Sequence, residues 1–286
     1  MPDLVLVLVT LIWGSTFAMS QSALHEIGPI GFVALRFSCA AVALALFLNK
    51  RLRQITRVEL FAGIAVGAIL FAGYTLQAAG LQHTTSSKSA FITATYVPLV
   101  PILQLMLFGR RPSPLAWIGA FVSFGGLALL SMGNGFDLSF GIGEWLTLAC
   151  AVASALQIIF VSKYARDGDP VRMAAVQVTT VAVIALMTMP FAGETMPALS
   201  VKLSSICVGM GVVSTAFVMG AMNWAQRTVP ATRATLIYAM EPVWAGLVGA
   251  ALGERLGTPA IVGASLIVFG IVLAELRIPK LSQSCA

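Results

Sequence analysis

Two ionisable side chains of this 286-residue chain stand deep inside long apolar stretches, Arg36 and Glu241. Charge held away from water is costly, so each marks a functional group or a buried pair. Glu241 lies at the middle of residues 232–252 and precedes Pro242, whose missing N–H and fixed φ kink a helix. Tyr238, the Glu241–Pro242 step and Ala245 recur at helical spacing and share one face. That face offers a carboxyl able to bind a substrate ammonium or to carry a proton. The competing reading is structural, with Glu241 capping the kink or pairing with Arg36. Arg36 itself lies seven residues into its stretch, ~10 Å deep at 1.5 Å per residue, a depth compatible with pairing to Glu241.

A second set is polar and uncharged. Ser89, Thr93, Tyr96 and Gln104 fall at spacings of 4, 3 and 8 on one helical face. Pro98 and Pro101 follow Tyr96, so carbonyls near Ala94 and Val97 are expected to be freed, which hydrocarbon tolerates only against protein or a wet cavity. The alternative is ordinary hydrogen bonding between helices. Tyr74, Gln77, Gln157 and Asn223 are candidates for the same space, and Trp13 offers a ring able to stack on an apolar or aromatic solute or simply a buried wall. The expected substrate-binding set is therefore Trp13, Tyr74, Gln77, Thr93, Tyr96, Gln157, Asn223, Tyr238 and Glu241, with Pro98, Pro101 and Pro242 as bending points. Lys88, at the end of its stretch, is expected to snorkel to the interface, and Trp117, Trp145 and Trp224, near stretch ends, to sit in the interfacial belt.

Other chemistries lack their residues. No GxxxxGK[ST] phosphate loop is present, and His25 and His83 stand alone without an HExxH or nucleophile motif. Cys39, Cys150, Cys207 and Cys285 show no CxxC spacing, and three lie in apolar stretches where Cys acts as a small hydrophobe. The expectation is no catalytic residue, no cofactor and no metal. The formal charge of +6 lacks the basic patch beside aromatics that nucleic-acid binding needs.

The elements that must position these residues follow from composition. The chain is 58% hydrophobic and 10% charged, with a mean hydropathy of +0.93. Soluble domains carry about 25% charged residues, so lipid must be the main solvent. Ten stretches reach the ~20 residues needed to cross a ~30 Å core: 4–22, 29–49, 59–80, 87–108, 114–131, 142–164, 171–191, 203–224, 232–252 and 258–276. Nothing alternates as a barrel strand would. The first stretch has no basic region before it and is read as a retained helix, not a signal peptide. Thirteen of the 17 bases fall in one set of connections and the C-terminal tail: Lys50, Arg51, Arg53, Arg57, Arg110, Arg111, Lys163, Arg166, Arg172, Arg227, Arg233, Arg277 and Lys280. The opposite connections hold only Lys88, Lys202 and Arg255. By the positive-inside rule both termini are expected in the cytoplasm.

A shift of 144 residues aligns Leu81–Gly126 with the second half without a gap. Gln82 meets Gln226, Pro98 meets Pro242, Gly119 meets Gly263 and Gly126 meets Gly270. Five stretches per half, an odd number, force opposite orientations, a plan that recurs in secondary transporters. The expected fold is an all-α polytopic membrane protein with ten transmembrane helices as two inverted five-helix repeats, residues 1–135 and 136–286. The small residues Ala116, Gly119, Ala120, Ser123 and Gly126, echoed by Ala260, Gly263, Ala264 and Gly270, allow close helix packing within the bundle or, as the alternative, at a dimer contact.

The chain resembles the drug/metabolite transporter superfamily in its ten-helix EamA-type branch. The resemblance is carried by Leu11–Ser15, Ala34–Phe37, Ala90–Pro98, Tyr238–Pro242 and Leu252–Leu256. It implies a secondary transporter of small organic solutes, most like the branch's amino-acid and metabolite exporters. Transport would run outward across the inner membrane by alternating access around a central cavity. The implied partners are a small-molecule substrate, lipid and protons, with no nucleic acid, in a monomer or weak dimer. The alternative is a membrane-embedded enzyme or a channel-like protein without alternating access.

Overall fold

The computed structural model describes residues 1–109, 112–132, 141–196, 200–244, 247 and 257–275. The expected roles of Arg110, Arg111, Ala245, Leu252–Leu256, Arg277 and Lys280 lie outside the described residues. Among the described residues every regular element is a helix. In order they are α1 (Pro2–Gly14), α2 (Thr16–Leu24), α3 (Pro29–Leu48), α4 (Arg57–Leu81), α5 (Ser86–Thr93), α6 (Tyr96–Phe108), α7 (Pro114–Met132), α8 (Ile142–Tyr164), α9 (Pro170–Thr188) and α10 (Val201–Gly209). A π-helix (Met210–Phe217), α11 (Val218–Gln226), α12 (Ala231–Tyr238) and α13 (Thr258–Glu275) complete the order. Seven helical segments among the described residues are long and apolar enough to cross a bilayer, with two shorter apolar helices at Pro114–Leu129 and Ile261–Ala274. The chain is a polytopic helical membrane protein.

Helix starts follow local chemistry. Proline occupies the first turn of α1, α3 and α9, where no intrahelical partner is lost. Thr56 and Glu59 form a reciprocal capping box at α4, and the Asp169 carboxylate accepts the N–H groups of Val171 and Arg172 at α9. Three crossings are broken. The first bends at Ser15, between α1 and α2, a break no proline signals; Thr10, Ser15 and Thr16 there bond back to carbonyls three residues earlier, which weakens the helical ladder. The fourth breaks at Ala94–Thr95, before its prolines, and the ninth at Ala239–Met240, before helix resumes at 241–244. Each of these breaks follows a half-helix of eight residues, α5 and α12. The Ala94 carbonyl, expected to be free, instead accepts the Val97 N–H in a tighter i+3 turn at 3.0 Å.

Long packing contacts fix the rest. α4 lies against α8 and α9, α3 against α9 and the π-helix, and α1 against α11 and α12. α7 and α13 form the most extensive helix pair. Gly119 faces the Gly270 carbonyl while Gly126 faces the Gly263 carbonyl, so the two helices run antiparallel. Between these contacts Ser123 Oγ donates to the Ile267 carbonyl at 3.3 Å. A methyl added at Gly126 would stand 2.6 Å from that backbone oxygen, which cannot move aside. We expect Gly126→Ala to lower stability by about 1–3 kcal/mol through overpacking, measured as thermal unfolding in detergent. An unchanged melting temperature would refute this packing.

Ion pairs and carboxylates tie the helix ends at both faces of the bundle. On the face where the chain begins (the N-terminal face), Glu59 is 1% exposed and accepts from the Thr56 and Asp169 N–H groups and from Arg172 Nε and Nη2, the last at 2.7 Å. Asp3 pairs with Arg233 there at 3.0 Å. On the far face, Glu194 accepts the N–H groups of Ile30 and Gly31 at the start of α3. Lys88, expected to snorkel, is instead drawn inward to Glu144 at 3.0 Å, which also accepts from Thr84 and caps α8. A buried carboxylate within reach wins over the interface because it supplies a partner where water is scarce.

A carboxylate in an aromatic-walled cavity as candidate substrate site

The apolar packing of α1–α6, α8 and α12 leaves a cavity with about 740 Å³ of empty space including its mouth. α1 and α2 contribute Trp13, Thr16, Phe17 and Ser20, one face at spacings of 3, 1 and 3. α4 contributes Ile69, Leu70, Gly73, Tyr74 and Gln77, and α8 contributes Cys150, Ala153, Ser154, Gln157 and Ile158. Thr93 and Tyr96 flank the break between α5 and α6, and Tyr238 and Glu241 flank the break after α12. Both breaks thus bring irregular backbone to the cavity wall, the one place where such backbone is tolerated at membrane depth. Along α2 and α4 the lining residues run toward the far face, ending at Ser20 and Gln77.

Among the described residues Glu241 has no ion-pair partner; the expected pairing with Arg36 does not form. Arg36 points instead at the π-helix. Its Nε donates to Thr215 Oγ1 at 2.8 Å and its Nη2 to Ser214 Oγ at 3.3 Å, while the guanidinium lies 5.0 Å from the Tyr74 ring centre. The wide turn of a π-helix displaces backbone from the regular ladder. Accordingly, the Ser214 carbonyl also accepts from Trp13 Nε1 at 3.3 Å. That bond holds the Trp13 ring 5.6 Å from the Tyr238 ring, tilted by 52°. The result is a wall of three anchored aromatics, Trp13, Tyr74 and Tyr238, beside one carboxylate.

Eight of the nine residues expected from the sequence border this one cavity: Trp13, Tyr74, Gln77, Thr93, Tyr96, Gln157, Tyr238 and Glu241. Asn223 does not. It is fully buried between α9 and α11, donating to the Pro170 carbonyl at 3.2 Å and to Gln177 Oε1 at 3.1 Å. Ser89 and Gln104 also lie off the cavity wall, and Pro98, Pro101 and Pro242 sit just beyond the two breaks. Thr16, Ser20, Cys150 and Ser154 were missed, although Trp13–Thr16–Ser20 and Cys150–Ser154–Gln157 share the spacing that singled out the fourth stretch. Among the described residues no group of His, Cys, Asp or Glu is placed to hold a metal.

Two segments of the chain, residues 1–132 and 141–276, match the model of the EamA-like transporter family. The chain belongs to the EamA-like transporter family. A transporter from Archaeoglobus fulgidus, described only as uncharacterized, is 32% identical over 96% of this chain and 86% of its own length. The uncharacterized inner membrane transporter YedA of Escherichia coli is 26% identical, over 93% of this chain and 88% of its own. YoaV of Bacillus subtilis, another uncharacterized transporter, is 26% identical with 93% of each chain covered. A solved crystal structure shares the fold, with a TM-score of 0.80 over 99% of both chains at 18% identity. In this EamA-like transporter the cavity combines the Glu241 carboxylate, the Arg36 guanidinium, hydroxyls and amides with aromatic faces.

Proposed function

We propose that the protein is a secondary transporter that moves small organic solutes, amino acids or related metabolites, outward across the inner membrane by alternating access. The observation that carries this reading is Glu241, a carboxylate without an ion-pair partner among the described residues, at the wall of an aromatic cavity beside a broken helix. A substrate ammonium docks on Glu241, or Glu241 carries a proton in exchange, while Trp13, Tyr74, Tyr96 and Tyr238 receive the apolar part of the solute. Gln77, Thr93 and Gln157 supply hydrogen bonds, and Pro98, Pro101 and Pro242 let the half-helices bend. Residues 1–135 and 136–286 act as two inverted five-helix repeats. This is supported by the equal half-helices α5 and α12, by the antiparallel α7 and α13, and by the Ser123–Ile267 bond between residues 144 apart. The N-terminal face, which gathers most bases, is the cytoplasmic one.

The test is counterflow in proteoliposomes preloaded with unlabelled amino acids and aromatic amines. Saturable exchange of labelled for unlabelled solute is expected. Non-saturating flux indifferent to the solute inside would mean a channel and overturn the reading. Trp13→Ala removes one aromatic wall, and we expect half-saturation to rise roughly ten-fold for aromatic solutes with less change for small ones. Equal effects on both classes would remove Trp13 from substrate contact.

A further inference from the structure

Several contacts at the two faces of the bundle come in matching pairs. The Gly119–Gly270 contact has its counterpart in Gly263–Gly126. Glu59 packs on Gly168 and bonds the start of α9, as Glu194 packs on Gly28 and bonds the start of α3. Lys88, the third residue of α5, pairs with an acid in the first turn of α8; Arg233, the third residue of α12, pairs with an acid in the first turn of α1. The glycine contacts exchange under the 144-residue shift, and the other pairs resemble one another in the helix starts they join. They therefore belong to the framework and need not break when the cavity changes sides.

The hydrogen bonds of Gln226 have no such counterpart among the described residues. Between the cavity and the N-terminal face, Gln226 is fully buried; its Nε2 donates to Tyr238 Oη at 3.0 Å and its Oε1 accepts from Ser162 Oγ at 3.4 Å. This chain of bonds joins α8, α11 and α12 directly beneath Tyr238, a residue of the cavity wall. The mate of Gln226 under the 144-residue shift is Gln82, beyond the end of α4 at the far face. Gln82 is exposed, and its side chain makes no hydrogen bond among the described residues. The cavity lining runs toward that same face.

We propose that Ser162, Gln226 and Tyr238 form the gate on the N-terminal face, and that Gln82 forms the corresponding gate on the far face. The two close in turn. The structure holds the first gate shut and the second apart. This assignment rests on the alternating-access reading above.

The experiment places one thiol in the cavity, Ser154→Cys, with Cys39, Cys150, Cys207 and Cys285 each replaced by Ser. The full-length protein in vesicles of known orientation is labelled by a membrane-impermeant methanethiosulfonate added to either side. Gln226→Ala and Tyr238→Phe are each expected to raise labelling from the N-terminal side, and lower it from the far side. The change should be roughly five-fold, the population shift of one net hydrogen bond. Gln82→Ala is expected to shift labelling the opposite way. Agreement in sign between Gln82→Ala and Gln226→Ala, or unchanged labelling in both Gln226→Ala and Tyr238→Phe, overturns the gate assignment while leaving alternating access standing if solute still moves the parent's labelling from side to side. A parent labelled from one side only, with and without a solute that it transports and in every variant, overturns alternating access and the gates together.

Discussion

Glu241→Gln is expected to lower counterflow roughly 10–100-fold, the loss of one charge-assisted hydrogen bond, while the protein still folds. The carboxyl has no ion-pair partner among the described residues, so the near-isosteric amide strands no cation. The same substitution separates the two roles open to this side chain. If Glu241 carries a proton, parent flux varies with pH and flux through the Gln variant is flat. If Glu241 only binds an ammonium, the variant's half-saturation rises and its pH profile keeps the parent's shape. Monodisperse elution and an unaltered melting temperature are the accompanying controls. Flux equal to the parent's at several pH values would remove Glu241 from the mechanism.

A larger effect on stability is expected at Glu59. Its carboxylate receives two backbone N–H groups and two guanidinium nitrogens, and it joins the start of α4 to the start of α9. Removing it leaves the Thr56 and Asp169 N–H groups without their acceptor, at a cost of about 1–3 kcal/mol for each stranded group. Glu59→Ala should therefore lower the melting temperature in detergent far more than Gly126→Ala. The double replacement Glu59→Leu with Arg172→Met should recover only part of that loss, because the Thr56 and Asp169 N–H groups stay unpaired. A single variant as stable as the parent would show that this latch does not bind the two helices.

How far these features were legible follows from the period of each signal. Runs of apolar residues gave the crossings directly, because hydrocarbon thickness sets their length. The wall residues on α4, α8 and the broken fourth and ninth crossings were legible because their helical phase carries from residue to residue. Asn223 was grouped with them as a polar residue within a stretch, with no spacing to place it; beyond the π-helix Met210–Phe217 it finds the Pro170 carbonyl and Gln177 as partners. Lys88 was misjudged because its partner, Glu144, is 56 positions away and reaches it only once α5 and α8 have packed. The break at Ser15 was missed because hydroxyls bonding to their own backbone leave no mark as plain as proline.

The glycine face of α7 has a further consequence, for the order of synthesis. Gly119, Ser123 and Gly126 find their partners only on α13, more than a hundred residues later in the chain. While the intervening helices are still being made, that face must wait against lipid or against provisional neighbours. The antiparallel pair is then closed late, by a helix made more than a hundred residues after its partner. Damage on this face would thus be felt as a failure of late assembly, with much of the earlier bundle already in place.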